Sequence, residues 1–188
     1  SGIDAADGEL ARLKNTPSYV GRYLDSVFDI ILNFLFLMTI CYVSKTTIWF
    51  SLLAFIGIQL QGTLYNYYYV ILRNKSIGGD TTSKVFEYKS PKALPGETQK
   101  SVDILFGIYT IVYGVFDKII HFLDKEAYKV KTFPNWFMTM LSLYGLGFQL
   151  LIIAIMLPLG FIENIVPFFI FYTIFTFVLI LVRRKIII

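Results

Sequence analysis

The stretch that decides the fold is residues 19–43, which read YVGRYLDSVFDIILNFLFLMTICYV. It is longer than the about 20 residues that a helix needs to cross a bilayer, and from Ile30 onward it carries no charged residue. Two acids, Asp25 and Asp29, nevertheless lie inside it. The sequence therefore predicts a membrane helix with two carboxylates towards one end.

Three further stretches, residues 47–72, 136–158 and 165–183, are predicted to span the membrane in the same way. Hydrophobic residues make up 56% of the chain and aromatic residues 18%, and the mean hydropathy is +0.64, which is outside the range of ordinary soluble domains. We predict an all-α, polytopic membrane helix bundle that forms one transmembrane domain over residues 1–188.

The segment 102–125 is amphipathic, because polar residues recur every three or four positions along an otherwise apolar helix. If this helix lies in the interface and does not cross, all Lys and Arg residues except Lys45 fall on the cytoplasmic side, as the positive-inside rule favours. We therefore expect an amphipathic interfacial helix here, beside four full spans.

Residues 1–16 have the composition of the end of a helix, which Pro17 terminates. No cap and no apolar run precede this helix in the sequence. We expect membrane-spanning sequence upstream of Ser1.

Two pairs of aspartates lie on these neighbouring helices. Asp4 and Asp7 are three residues apart and Asp25 and Asp29 are four apart, so each pair shares a helical face with side chains roughly 5–6 Å apart. Carboxylates within a span cost several kcal/mol unless they are paired, solvated or bound to a cation. Convergence of the two pairs across the proline turn would therefore create a divalent metal site.

Oxygen ligands without histidine or cysteine suit Mg²⁺, Mn²⁺ or Ca²⁺ better than zinc. Two such ions about 4 Å apart would bind a diphosphate and stabilise the charge on its leaving group. Small residues at Gly8, Ala11 and Gly21 would let a nucleotide approach the helix backbone closely.

Residues 4–12, DAADGELAR, are followed after eight residues by residues 21–29, GRYLDSVFD. This arrangement resembles the signature of class I CDP-alcohol phosphatidyltransferases. Its eight fixed positions are all matched, at Asp4, Asp7, Gly8, Ala11, Arg12, Gly21, Asp25 and Asp29.

The resemblance implies a core of six transmembrane helices, of which the first two are largely missing from this chain. It also implies that Asp4, Asp7 and Asp25, helped by Asp29, bind two divalent cations, Mg²⁺ or Mn²⁺. Asp29 would be the general base. The contacts to the CDP group would come from Gly8, Ala11, Arg12 and Gly21.

The activity that the resemblance implies is metal-dependent transfer of a phosphatidyl group from CDP-diacylglycerol to a small polar alcohol, with release of CMP, in phospholipid biosynthesis. The enzyme would be a multi-pass protein among membrane lipids, with its active site facing the cytoplasm. A CDP-choline or CDP-ethanolamine phosphotransferase with a lipid acceptor, a non-catalytic membrane anchor and a cation transporter are the alternatives. Nothing in the sequence indicates nucleic-acid binding, and the oligomeric state is open, a homodimer included.

Overall fold

The structure, a computed structural model, describes residues 18–76 and 87–186. These residues form seven α-helices and a 3₁₀ turn, and none of them forms a strand, so the predicted all-α class is confirmed. The helix predicted at residues 1–16 lies outside the described residues. In chain order the elements are α1 (Tyr19–Ser44), α2 (Ile48–Ser76), α3 (Gln99–Val112), α4 (Gly114–Leu123), the 3₁₀ turn (Lys125–Lys129), α5 (Asn135–Ser142), α6 (Leu146–Met156) and α7 (Ile162–Ile186).

Local signals fix both ends of α1. Ser18 caps its start, since the Ser18 hydroxyl accepts a hydrogen bond of 2.8 Å from the Gly21 N–H. At its end Lys45 adopts the left-handed conformation, with φ of 54°, that commonly terminates helices. The short turn that follows sends α2 back along α1.

Helices α2 and α7 run side by side in the same direction. The Gln61 side chain donates a 3.0 Å hydrogen bond to the Thr173 hydroxyl, and further along both helices Tyr68 and Arg183 bind the same residue, Asp124. Gln149 of α6 completes this seam by donating a 3.0 Å hydrogen bond to the Gln61 side-chain oxygen. Buried amide groups therefore bond to one another between helices, as membrane bundles require.

Two predicted helices are divided in the structure. The segment predicted as one helix over 102–125 bends by 53° at Tyr113, between α3 and α4, and the span predicted over 136–158 bends by 50° between α5 and α6. In the second case Gly145 has an extended backbone, with ψ of 147°, and the hydroxyl of the buried Tyr144 donates a hydrogen bond to the Tyr172 carbonyl. The break between α5 and α6 therefore places Tyr144 against α7.

The two bent pairs follow different paths. Glu97, just before α3, binds the start of α1, and Asp124, just after α4, binds Tyr68 in the C-terminal half of α2. Because α1 and α2 are joined by a short turn and run in opposite directions, the start of α1 lies at the same end of the bundle as the end of α2. Both ends of α3–α4 therefore lie in the same half of the bundle. In contrast α5–α6 passes along α2, from Phe137 beside Tyr68 to Gln149 beside Gln61. Where these pairs lie in a bilayer stays a prediction.

Within the described residues, α1, α2 and α7 are long and apolar enough to cross a membrane, and the number of spans reaches five if each bent pair forms one. Their outer surfaces carry large apolar side chains such as Trp49, Leu35 and Phe171, which are 75%, 54% and 68% exposed. A surface of this size and character is suited to lipid. The chain is an integral membrane protein.

Candidate active site

The start of α1 is held by the polar connection that precedes α3. The Glu97 carboxylate accepts 2.7 Å hydrogen bonds from the Ser18 hydroxyl and the Val20 N–H, and a 3.2 Å bond from the Leu94 N–H. Burial would raise the pKa of Glu97, but these hydrogen bonds outweigh it and hold the pKa below its usual value. Glu97 therefore stabilises the first turn of the helix that carries the predicted site.

One face of α1 packs inward while the predicted site residues lie elsewhere on the helix. Tyr23, Ile30 and Leu37 recur every seven residues and are buried, whereas Gly21 and Asp25 are exposed and Asp29 is half-buried. A Cβ atom at position 21 would lie only 3.2 Å from the Ser18 Oγ that caps the helix. Gly21 therefore leaves room for the Ser18 cap and leaves the backbone of the helix start exposed.

A second glutamate of the same connection binds α1 one turn before Asp25. The Glu87 carboxylate forms an ion pair with Arg22 and accepts a 2.8 Å hydrogen bond from the Tyr23 hydroxyl. The Arg22 guanidinium also lies over the Tyr23 ring, 4.5 Å from its centre. These contacts hold the segment at Glu87 against α1.

The C-terminal part of α3 packs against the first turns of α1. Tyr109 packs against Tyr23, with ring centres 5.1 Å apart, and donates a 3.2 Å hydrogen bond to Asp117 of α4. Tyr113, at the bend itself, interacts electrostatically with both Asp29 and Asp117. Asp29 of α1 and Asp117 of α4 therefore both lie within electrostatic range of Tyr113.

Sequence reasoning missed the contacts of Glu87, Glu97 and Tyr113. The two glutamates lie in an aperiodic polar connection, about 65 to 80 residues from their partners in the chain. No local spacing links them to α1. Asp117 is part of the polar stripe of the 102–125 segment, and that stripe was the available signal for this contact.

The described part of the site fits a hard divalent cation in its chemistry. Asp25 and Asp29 carry carboxylates one helical turn apart, and carboxylate oxygens are the ligands that Mg²⁺ and Mn²⁺ prefer. Within the described residues no group of three or more acidic, histidine or cysteine side chains is placed to hold a metal ion. The remaining predicted ligands and CDP contacts, Asp4, Asp7, Gly8, Ala11 and Arg12, lie outside the described residues.

Comparison with known proteins identifies one matching family. A sequence model of the family described as CDP-alcohol phosphatidyltransferase matches residues 1–162, which is most of the chain and includes the whole predicted signature. No curated protein and no solved structure matches this chain significantly.

Proposed function

This chain belongs to the CDP-alcohol phosphatidyltransferase family, and from that premise we propose that it transfers a phosphatidyl group from CDP-diacylglycerol to a small polar alcohol. The observation that carries the proposal is the family match over residues 1–162, the range in which the eight signature-like positions from Asp4 to Asp29 lie. An alcohol such as inositol, glycerol phosphate or serine would be the acceptor, and CMP the second product.

Asp29 is the proposed general base. In the reaction the acceptor oxygen forms a bond to the phosphorus nearest the diacylglycerol, and the bond from that phosphorus to the CMP oxygen breaks. The acceptor proton moves to the Asp29 carboxylate, which is half-buried and so partly shielded from bulk water. The electron pair of the broken bond leaves with CMP.

Asp4, Asp7 and Asp25, with Asp29, are the proposed metal ligands, and members of this family generally depend on a divalent metal. When bound, Mg²⁺ or Mn²⁺ supplies positive charge for the diphosphate and its departing oxygen. Gly8, Ala11, Arg12 and Gly21 are the proposed contacts to the CDP group, and the exposed backbone at Gly21 leaves room for one.

The proposed site faces the cytoplasm. Its support is the location of most basic residues on the side where α1 begins and α2 and α7 end, with Arg73, Lys75 and Arg184 among them. A CDP-lipid would reach the start of α1 sideways from the inner leaflet, and a polar alcohol would reach it from water.

The test is CMP release by the purified full-length protein from CDP-diacylglycerol, with a panel of alcohols and with Mg²⁺, Mn²⁺ or a chelator. We predict metal-dependent release with at least one alcohol. Asp29→Asn should lower turnover by at least about 100-fold, the usual size of a general-base contribution, while CDP binding by calorimetry is retained.

The matched control is Glu163→Gln, which makes the same carboxylate-to-amide change on an exposed residue at the start of α7. It should keep wild-type turnover. Full activity of Asp29→Asn would refute the assignment of the base, and CMP release that is unaffected by the chelator would refute the metal dependence.

A further inference from the structure

An open cleft lies where α4, the 3₁₀ turn and the end of α7 meet, and none of the described signature residues lines it. Its volume is about 570 Å³, and it is lined by Phe122, Lys125, Glu126, Arg183 and Arg184. Three of these five residues are cations and one is an acid. The cleft is therefore electropositive.

The floor of the cleft is a buried ion pair. Asp124 is fully buried, and its carboxylate binds the Arg183 side chain, with a 2.6 Å hydrogen bond from Nε, and accepts a 2.5 Å hydrogen bond from the Tyr68 hydroxyl. These bonds join α2, α4 and α7 at one point. The backbone that carries the lining residues is therefore held in place by hydrogen bonds between three helices.

The cations around this floor exceed the acids that bind them. Arg184 lies 3.7 Å from the same Asp124 oxygen that pairs with Arg183, so one carboxylate serves two guanidinium groups, and the Arg184 side chain is 50% exposed. The acid in the lining, Glu126, pairs with Lys129. Lys125 is exposed, with its ammonium 5.1 Å from the centre of the Phe122 ring.

The cleft lies at the end of a lipid-suited surface. On α7 the preceding residues Phe175, Val178 and Leu181 are all about half exposed, and Phe122 in the cleft is 71% exposed. Apolar side chains followed by a basic group mark the level at which lipid headgroups lie. Basic pockets between helices at this level bind anionic headgroups.

We propose that this cleft binds the phosphate of an anionic phospholipid headgroup, with Arg184 and Lys125 as its ligands. Phe122 contacts the lipid beside the phosphate. The Asp124–Arg183 ion pair acts as the rigid support that holds Arg184 in place. This site is separate from Asp25 and Asp29 and does not depend on turnover.

The test is native mass spectrometry of the purified full-length protein with phosphatidylglycerol or phosphatidylcholine of the same acyl chains. We predict tighter binding of phosphatidylglycerol. Arg184→Gln and Lys125→Gln should each weaken its binding about fivefold, and the double variant about 25-fold. Lys131→Gln, an exposed lysine outside the cleft, should stay within about twofold of wild type.

Thermal unfolding of each variant checks that the fold is intact, because both changes leave the Asp124–Arg183 pair in place. Inorganic phosphate, added at the concentration of the lipid, separates a lipid site from a site for free phosphate. Phosphatidylglycerol should remain bound. Its displacement by inorganic phosphate, equal binding of the two lipids, or an unchanged affinity in the double variant would each overturn the proposal.

Discussion

At the scale of single residues, two glutamates from one connection determine how α1 begins. Glu97 accepts hydrogen bonds at the helix cap, and Glu87 pairs with Arg22 one turn before Asp25. Neither belongs to the signature. They are positioning residues, since they contact the helix that carries the acids and leave the acids themselves exposed or half-buried.

Replacing Glu97 by glutamine should destabilise the protein at neutral pH. The folded-state pKa of Glu97 is lowered from its usual 4.5, so its contribution is present above that value and is lost as the pH falls through the lower folded pKa. Thermal unfolding in detergent, followed from neutral pH to about pH 3, measures this. Wild type and Glu97→Gln should differ at pH 7 and converge in acid, and a difference that does not depend on pH would contradict the role of this carboxylate.

At the scale of helices, the seam between α2 and α7 depends on a close approach at Gly57. A side chain there would collide with the Thr173 hydroxyl, which accepts from Gln61 and donates a 2.7 Å hydrogen bond to the Phe169 carbonyl. Small residues at such crossings let the backbones of membrane helices pack closely. Thr173 is β-branched and cannot easily move aside.

We therefore expect Gly57→Ala to destabilise the protein by about 1–3 kcal/mol, the usual cost of overpacking. The matched control is Gly107→Ala in α3, where an added carbon meets nothing within 4 Å and should be neutral or stabilising. Thermal unfolding in the same detergent compares them. Equal melting temperatures for Gly57→Ala and wild type would show that the seam tolerates a methyl group.

The helices were predictable from sequence to different extents. The composition indicated the spans at 19–43, 47–72 and 165–183, because long apolar runs need no tertiary information. The bends at Tyr113 and Gly145 were not predicted, since apolar residues continue on both sides of each bend. The metal and CDP assignments stay predictions, with Gly21, Asp25 and Asp29 on described backbone and the others outside it.

At the scale of the whole molecule, Asp124 joins the half of the bundle that contains the ends of α2 and α7. It binds Tyr68 of α2 and Arg183 of α7 from its place after α4, and all three are buried. The Tyr68 ring also packs against Phe133 and Phe137, which form an aromatic cluster next to Asp124. This region fixes the path of the chain between α3 and α7.

Asp124→Asn should destabilise the protein by about 3–5 kcal/mol, because it leaves a buried guanidinium without its counter-charge. The exposed pair of Glu126 with Lys129 provides the control, and Glu126→Gln should cost no more than about 1 kcal/mol. Chemical unfolding in mild detergent measures both. If both variants lost a similar free energy of unfolding, the buried Asp124–Arg183 pair would be no more important for stability than an exposed pair.

The central proposal is that the two pairs of aspartates, Asp4 with Asp7 and Asp25 with Asp29, bind divalent cations together. Electron paramagnetic resonance of free Mn²⁺, titrated into the purified full-length protein with CDP present, tests it most directly. We predict that the protein binds Mn²⁺ and that Asp7→Asn and Asp25→Asn, one from each pair of aspartates, each weaken binding at least about tenfold, while Glu163→Gln does not. Equal Mn²⁺ affinity in wild type and both aspartate variants would contradict the claim.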